Sequence, residues 1–290
     1  MAGAGIKEIK NRINSIESTK QITKAMELVA SSKMRKAKDR ALANKPYFDI
    51  MYDTVKDIAT NTKGVRDLFL KQREVKNKCY IVIAGDRGLA GGYNSNIFKL
   101  TTAHMDGKQE KIMAVGKKSV EFFQKRGYDV LITEDSIERC VYEKTLEIAN
   151  TAMDLYKKGE IDEVYISYTE FVSPLVQYPK LIKVLPLVFE EDEAEVKSTK
   201  DVGRKARVQY LPSPEAVLSY IIPKYVSSIV YGGIVEAFAS EQSARRNAMK
   251  SASDSADEML STLELSYNRA RQSAVTGEII DIVGGVEALK

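Results

Sequence analysis

The sequence predicts an α/β fold combined with a coiled coil: long N- and C-terminal helices pair antiparallel, and a Rossmann-like α/β domain is inserted between them. Three observations carry this. An apolar period of three and four residues starts at Ile6 and meets neither glycine nor proline before Pro46. A second stretch, Glu215 to about Val283, holds only Pro223, near its start. Between the two, short β-rich runs alternate with helical segments.

The first helix carries apolar residues at Ile6, Ile9, Ile13 and Ile16, then at Ile22, Met26 and Val29, with Met34 and Ala37 beyond. The phase slips between Ile16 and Ile22, so this spacing predicts a seam whose heptad does not run through. Helical spacing resumes after Pro46 at Tyr47, Met51, Tyr52, Val55 and Ile58, which predicts a kink or a tolerated proline, with the end at Asn61 to Gly64. At 1.5 Å per residue such a helix reaches on the order of 75 Å and needs a partner along its length.

That partner follows Pro212 and Pro214. Its first part is bulky, with Val217, Leu218, Ile221, Ile222, Val226, Ile229, Val230 and Ile234. After Ala239 small residues dominate: Ala244, Ala248, Ser251, Ala252, Ser255, Ala256, Ser266, Ala270 and Ser273, with Met259, Leu260 and Leu263 as anchors. Small seam residues predict a thin shaft. Its tail, Ile279, Ile280, Ile282 and Val283, is apolar on more than one face and implies a surrounding protein surface.

The middle reads as strands at Cys79–Ala84, Lys111–Val115, Tyr128–Thr133, Val164–Phe171 and Leu181–Phe189. Helices are predicted through Ile97 and Leu100, over Ser119–Lys125 and over Tyr142–Lys157. Residues 190–207 are charged, poor in apolar residues and read as a mobile loop or hairpin. The expected domains are therefore 1–62 and 212–290 for the coiled coil, 75–190 for the α/β domain, and 191–211 for a loop or linker.

Composition removes much of enzymology. Two cysteines, Cys79 and Cys140, are too few and too far apart for a disulfide framework or a CxxC site, and read as buried thiols. The single histidine, His104, argues against a zinc site or a Ser/His/Asp triad. No run of eighteen uncharged apolar residues and no signal-peptide core occur, so a cytoplasmic chain is expected unless a partner holds it at a membrane. The net charge is only +4, but cations crowd the first helix: Lys7, Lys10, Arg12, Lys20, Lys24, Lys33, Arg35, Lys36, Lys38, Arg40 and Lys45. Because they are spread around the helix, an acidic protein surface fits them better than nucleic acid.

Three further segments invite a site. Gly85-Asp86-Arg87-Gly88-Leu89-Ala90-Gly91-Gly92 follows a strand, yet fits neither G-x-G-x-x-G nor G-x-x-x-x-G-K-[ST] and reads as a structural turn rather than a phosphate cradle. The acidic run from Glu190 to Glu195 reads as solvated loop, not an acid/base pair. Asn268 to Glu278 is polar on a slim helix, where Arg271 and Gln272 can present fork-like donors.

The stretches INSIESTKQITKAMELVASSKMRKAK (13–38), AGDRGLAGGYN (84–94), ASEQSARRNAMK (239–250) and 267–289 together resemble the gamma subunit of F-type ATP synthase, over essentially the whole chain. Val275, Thr276, Glu278, Asp281 and Gly285 stand where that family has its signature. Gly277 and Val286 depart from it, and Gly277 should loosen the helix by about 1 kcal/mol.

The resemblance implies a non-catalytic central-stalk rotor, without cofactor or metal, that couples proton flow through a membrane c-ring to ATP synthesis or hydrolysis. The implied partners are the alpha and beta subunits of the catalytic hexamer, the epsilon subunit and the c-ring. No nucleic acid is implied, and membrane association, at the cytoplasmic face of a bacterial plasma membrane, would come only through partner subunits. By position, Arg271 and Gln272 would contact the beta-subunit catch loop, with Thr276 and Glu278 nearby. Met26 and Arg245 would be the coupling-sensitive shaft positions, and Tyr210 would lie at the base near the epsilon subunit or c-ring. An acidic lever motif on beta would face the cationic first helix. Segment 190–207 lacks the cysteine-bearing insertion of chloroplast relatives, so no thiol switch is expected.

Overall fold

The computed structural model describes residues 2–61, 67–140, 142–188 and 210–287; the expectations for 190–207 fall outside them. The elements in chain order are α1 (Ala2–Asn61), β1 (Lys78–Ile83), α2 (Tyr93–His104), β2 (Lys111–Val115), α3 (Lys117–Lys125), β3 (Asp129–Glu134), α4 (Tyr142–Lys158), β4 (Glu163–Phe171), β5 (Gln177–Leu185) and α5 (Pro214–Glu287). They divide into two compact units: 33–244, which holds the sheet, and 1–32 with 245–290, a helical pair.

In the sheet unit the strand order is β3-β2-β1-β4-β5, with β5 antiparallel to β4 and the remaining pairs parallel. Strands β1, β2 and β4 are buried on both faces, which is why they read as continuous apolar runs rather than alternating ones. The two-residue period sorts β1 between two cores. Cys79, Ile81 and Ile83 face α1, α4 and the first half of α5, where Val55, Ile58, Ile148, Tyr156, Leu218, Val226 and Val230 are buried. Tyr80, Val82 and Ala84 face α2 and α3, against Ile97, Phe98 and Phe123. α5 is long and apolar enough to cross a bilayer by length and composition. The burial of Leu218, Ile222, Val226, Val230 and Ile234 against the sheet accounts for that apolarity.

Glycine is needed at Gly116, where φ is 89° and a Cβ would stand 1.9 Å from the Ala84 carbonyl oxygen. At Gly233 a Cβ would meet the end of the Ile166 side chain, Cδ1, at 2.8 Å, so α5 packs closely on the side chains of the sheet.

Pro46 is tolerated: α1 continues through it on an exposed turn where water can satisfy the freed carbonyl. β5 lies at Gln177–Leu185 rather than 181–189, because it pairs with β4 through Phe171–Gln177 at a short hairpin and Pro186 follows its end. As an edge strand it accommodates Pro179.

In the helical unit α1 and the end of α5 run antiparallel. The register is set by Thr23 Oγ1 and Ser253 Oγ, 2.7 Å apart and buried, and by an ion pair between Lys20 and Asp257. Here the structure corrects the sequence reading. Ile22 and Val29 are 61% and 57% exposed; up to Ala30 the buried or half-buried positions are Ile6, Ile9, Ile13, Ile16, Lys20, Thr23, Glu27 and Ala30, with Met26 half-buried beside them. The heptad therefore runs through without a slip, and polar residues hold three of its places because they find partners. On α5 the seam is Met249, Ser253, Ala256, Leu260, Leu263, Tyr267, Ala270, Ala274 and Gly277, while Ser251, Ala252, Ser255, Met259, Ser266 and Ser273 are exposed. The expected thinness thus comes from Ser253, Ala256, Ala270 and Ala274, interleaved with bulky residues.

Candidate partner-contact site

At the observed register Ala2 lies opposite about residue 274, so α5 continues past the start of α1. Thr276 and Glu278 lie in these last turns, and Arg271 and Gln272 just before them. All four are exposed, and Thr276 Oγ1 donates to the Gln272 backbone carbonyl at 2.9 Å. Val275, Ile279, Ile280, Ile282 and Val283 are exposed around them, Ile280 by 63%. A continuous apolar surface with guanidinium and amide donors at its edge suits a protein partner that offers carboxylates or carbonyls among apolar groups.

Met26 is half-buried beside the seam, whereas Arg245 is only 7% exposed. The register places Met26 opposite about residue 250, so Arg245 sits more than one turn further along the pair. The two are near one another on the shaft but not directly opposed. Sequence reasoning missed a second exposed set, Ile22, Leu28 and Val29, which stands on α1 among the cations. Counting heptads from Ile6 and Ile9, instead of following hydrophobicity, would have found it.

The cationic helix exposes Lys7, Lys10, Arg12, Lys24, Arg35, Lys36, Lys38, Arg40 and Lys45, of which Arg12 and Lys24 pair along α1 with Glu8 and Glu27. Lys20 and Lys33 are half-buried and paired with Asp257 and Glu138. Tyr210 belongs to the sheet unit, where its hydroxyl donates to Asp57 on α1. Burial and the Asp57 carboxylate push that hydroxyl up to about 12, since both favour the neutral phenol.

The glycine-rich turn is built from within. The Gly85 amide donates to Asn94 Oδ1 at 2.8 Å, and the Asp86 carboxylate receives the Ser136 hydroxyl at 2.7 Å and the Ile137 amide at 2.9 Å. The Glu241 carboxyl group lies against Gly85, so an acceptor-bearing side chain already fills the space in front of the turn. The turn reading holds, and a phosphate cradle does not fit. His104 also has a structural place: its Nδ1 is 2.9 Å from the Tyr80 hydroxyl, and its ring meets Tyr80 and Tyr165 edge-on.

Comparison with known proteins follows the same lines. A family model described as ATP synthase matches residues 5–289. The ATP synthase gamma chain of Alkaliphilus metalliredigens is 47% identical over 291 residues, covering 99% of this chain and 100% of that one. A gamma chain of Acetobacterium woodii, described as sodium ion specific, is 44% identical, with 98% of each chain covered. Among solved structures, the rotor of the Euglena gracilis mitochondrial ATP synthase matches with a TM-score of 0.65 at 19% identity, covering 94% of this chain and 99% of that one, a likeness of fold.

Proposed function

The chain belongs to the ATP synthase gamma-chain family, and from that premise we propose that it is the central-stalk rotor of an F-type ATP synthase, turning within three alpha and three beta subunits. The observation that carries this is the end of α5, where Arg271 and Gln272 stand exposed at the level of the first turn of α1 and the exposed Ile279, Ile280 and Ile282 continue past it. A two-helix shaft has no three-fold symmetry. Within a three-fold ring it presents a different face to each catalytic site, and unequal contacts become unequal nucleotide affinities. Rotation passes each site through these affinities in turn; run backwards, hydrolysis drives the shaft and pumps ions.

In this reading Arg271 and Gln272 engage the beta catch loop, with Thr276 and Glu278 beside them. Met26 and Arg245 tune coupling, and the exposed cations of α1 meet an acidic lever on beta. Tyr210 stands near the base, where the epsilon subunit and the c-ring attach. The chain is held by these partners at the cytoplasmic face of a bacterial plasma membrane. Nucleotide chemistry belongs to the hexamer, so the chain itself catalyses nothing.

Mixing the chain with purified alpha and beta subunits tests the reading. A stoichiometric complex with stimulated ATPase is expected; no complex, or unchanged hydrolysis, would overturn it. Met26→Lys should leave assembly intact and lower the ions pumped per ATP, because a new cation is set against the ring. An unaltered ratio would remove Met26 from the coupling positions.

A further inference from the structure

We propose that the glycine-rich turn after β1 is a collar that fixes both long helices to the sheet unit at the level where they leave it, with Glu241 and Lys33 as its positioning residues. The proposal rests on the rotor reading, since a collar matters only where torque is carried.

Both helices change unit at this level: the sheet unit begins at Lys33 on α1 and ends at Ala244 on α5. Lys33 Nζ stands 2.7 Å from Glu138 Oε1 and 2.8 Å from Oε2. The segment bearing Glu138 is pinned to the turn, because Ser136 and Ile137 donate to the two oxygens of Asp86. The neighbouring residue is Gly85, and a methyl group built on it would stand 2.8 Å from Glu241 Oε1 on α5. One continuous set of contacts thus runs from α1, through Glu138, Asp86 and Gly85, to α5.

α5 is held at several further points over the same two turns. The Tyr93 hydroxyl, at the far end of the glycine turn, donates to the Ala237 carbonyl at 2.8 Å. Ser240 Oγ donates to the Thr169 carbonyl at 3.0 Å, Ser243 Oγ to that of Pro174 at 2.7 Å, and Gln177 Nε2 to Ser243 Oγ at 3.2 Å.

Ser240, Glu241, Gln242 and Ser243 are all buried, Glu241 to 1% exposure, in a helix whose preceding turns are apolar. Apolar residues at these places would stabilise the fold at least as well. Directional contacts on several sides of a helix add what apolar packing does not, a fixed rotational setting about its axis. They stand on the last turns of α5 that belong to the sheet unit.

The test uses the complete enzyme in sealed vesicles, with ATP hydrolysis and ATP-driven ion uptake measured on one preparation. Glu241→Gln, which keeps the shape and removes the charge, should assemble and hydrolyse ATP normally while uptake per ATP falls about fivefold, the low end of site-to-site coupling. Glu241→Asp should recover part of the ratio, and Lys33→Gln should lower it further in combination with Glu241→Gln. A ratio equal to that of the unsubstituted enzyme in both single variants would overturn the proposal. As a second measurement, a disulfide between Gly85→Cys and Glu241→Cys should leave ATP-driven turnover running, since the joint is static. Arrest on oxidation, relieved by reduction, would show that it moves and would also overturn the collar. A failure of the rotor reading looks different: the unsubstituted chain would then fail to stimulate the hexamer at all.

Discussion

The two units use opposite economies of apolar surface. In the sheet unit β1, β2 and β4 are buried on both faces, and exposed apolar residues such as Ile50, Leu175 and Leu211 lie outside these three strands. In the helical unit the seam holds Lys20, Thr23 and Glu27, while Ile22, Leu28, Val29, Ile279, Ile280 and Ile282 face outward. The sheet unit completes its own core. The shaft reserves much of its apolar surface for what surrounds it, and keeps its register by paired polar groups rather than by bulk.

The largest effect should follow from opening the self-sufficient core. Phe123 is fully buried against Phe98, Phe122 and Tyr128, and Phe123→Ala should cost about 3–5 kcal/mol in denaturant unfolding. A loss under 1 kcal/mol would blur the contrast between the units. In the shaft, Thr23→Val leaves the buried Ser253 hydroxyl without its partner and should cost about 1–3 kcal/mol. Adding Ser253→Ala should restore most of it, because an unmade bond costs more than an absent pair; an additive double variant would speak against the polar lock.

Gly277→Ala has open space around the new methyl and should stabilise the last turns by about 1 kcal/mol, read as slower amide exchange near 277 with the sheet unit unchanged.

The smallest effect is confined to alkaline pH. The neutral Tyr210 phenol is favoured in the folded chain, so its contribution is complete below the ordinary tyrosine value of about 10 and fades as pH rises towards about 12. Subtracting the unfolding midpoints of Tyr210→Phe from those of the parent isolates this group from the other buried tyrosines. The difference should be flat below pH 10 and shrink above it.

Much of the fold was legible because breakers and periods are local. The two proline-poor stretches, the first strand (read at Cys79–Ala84, found at Lys78–Ile83) and the positions of α2, α3 and α4 followed from spacing alone. The seam phase was not legible, for a physical reason: outward apolar residues imitate a core-facing stripe. Ile22 and Val29 drew the reading away from Lys20, Thr23 and Glu27, whose polar groups are paired across the helices or along α1. The edge strand β5 was misplaced by four residues because its register depends on β4, which is remote from any local signal. Of the candidate contact residues, Arg271 and Gln272 were marked by their donor chemistry. Met26, Arg245, Thr276, Glu278 and Tyr210 came only through resemblance, since nothing in a helix's own pattern says what it will touch.

The most direct measurement anchors the hexamer of alpha and beta subunits to a surface and attaches a visible probe to the sheet unit of this chain. Stepwise rotation in one direction, dependent on ATP and stopped by its removal, is the predicted result. Steady ATP hydrolysis with the probe stationary would contradict the account.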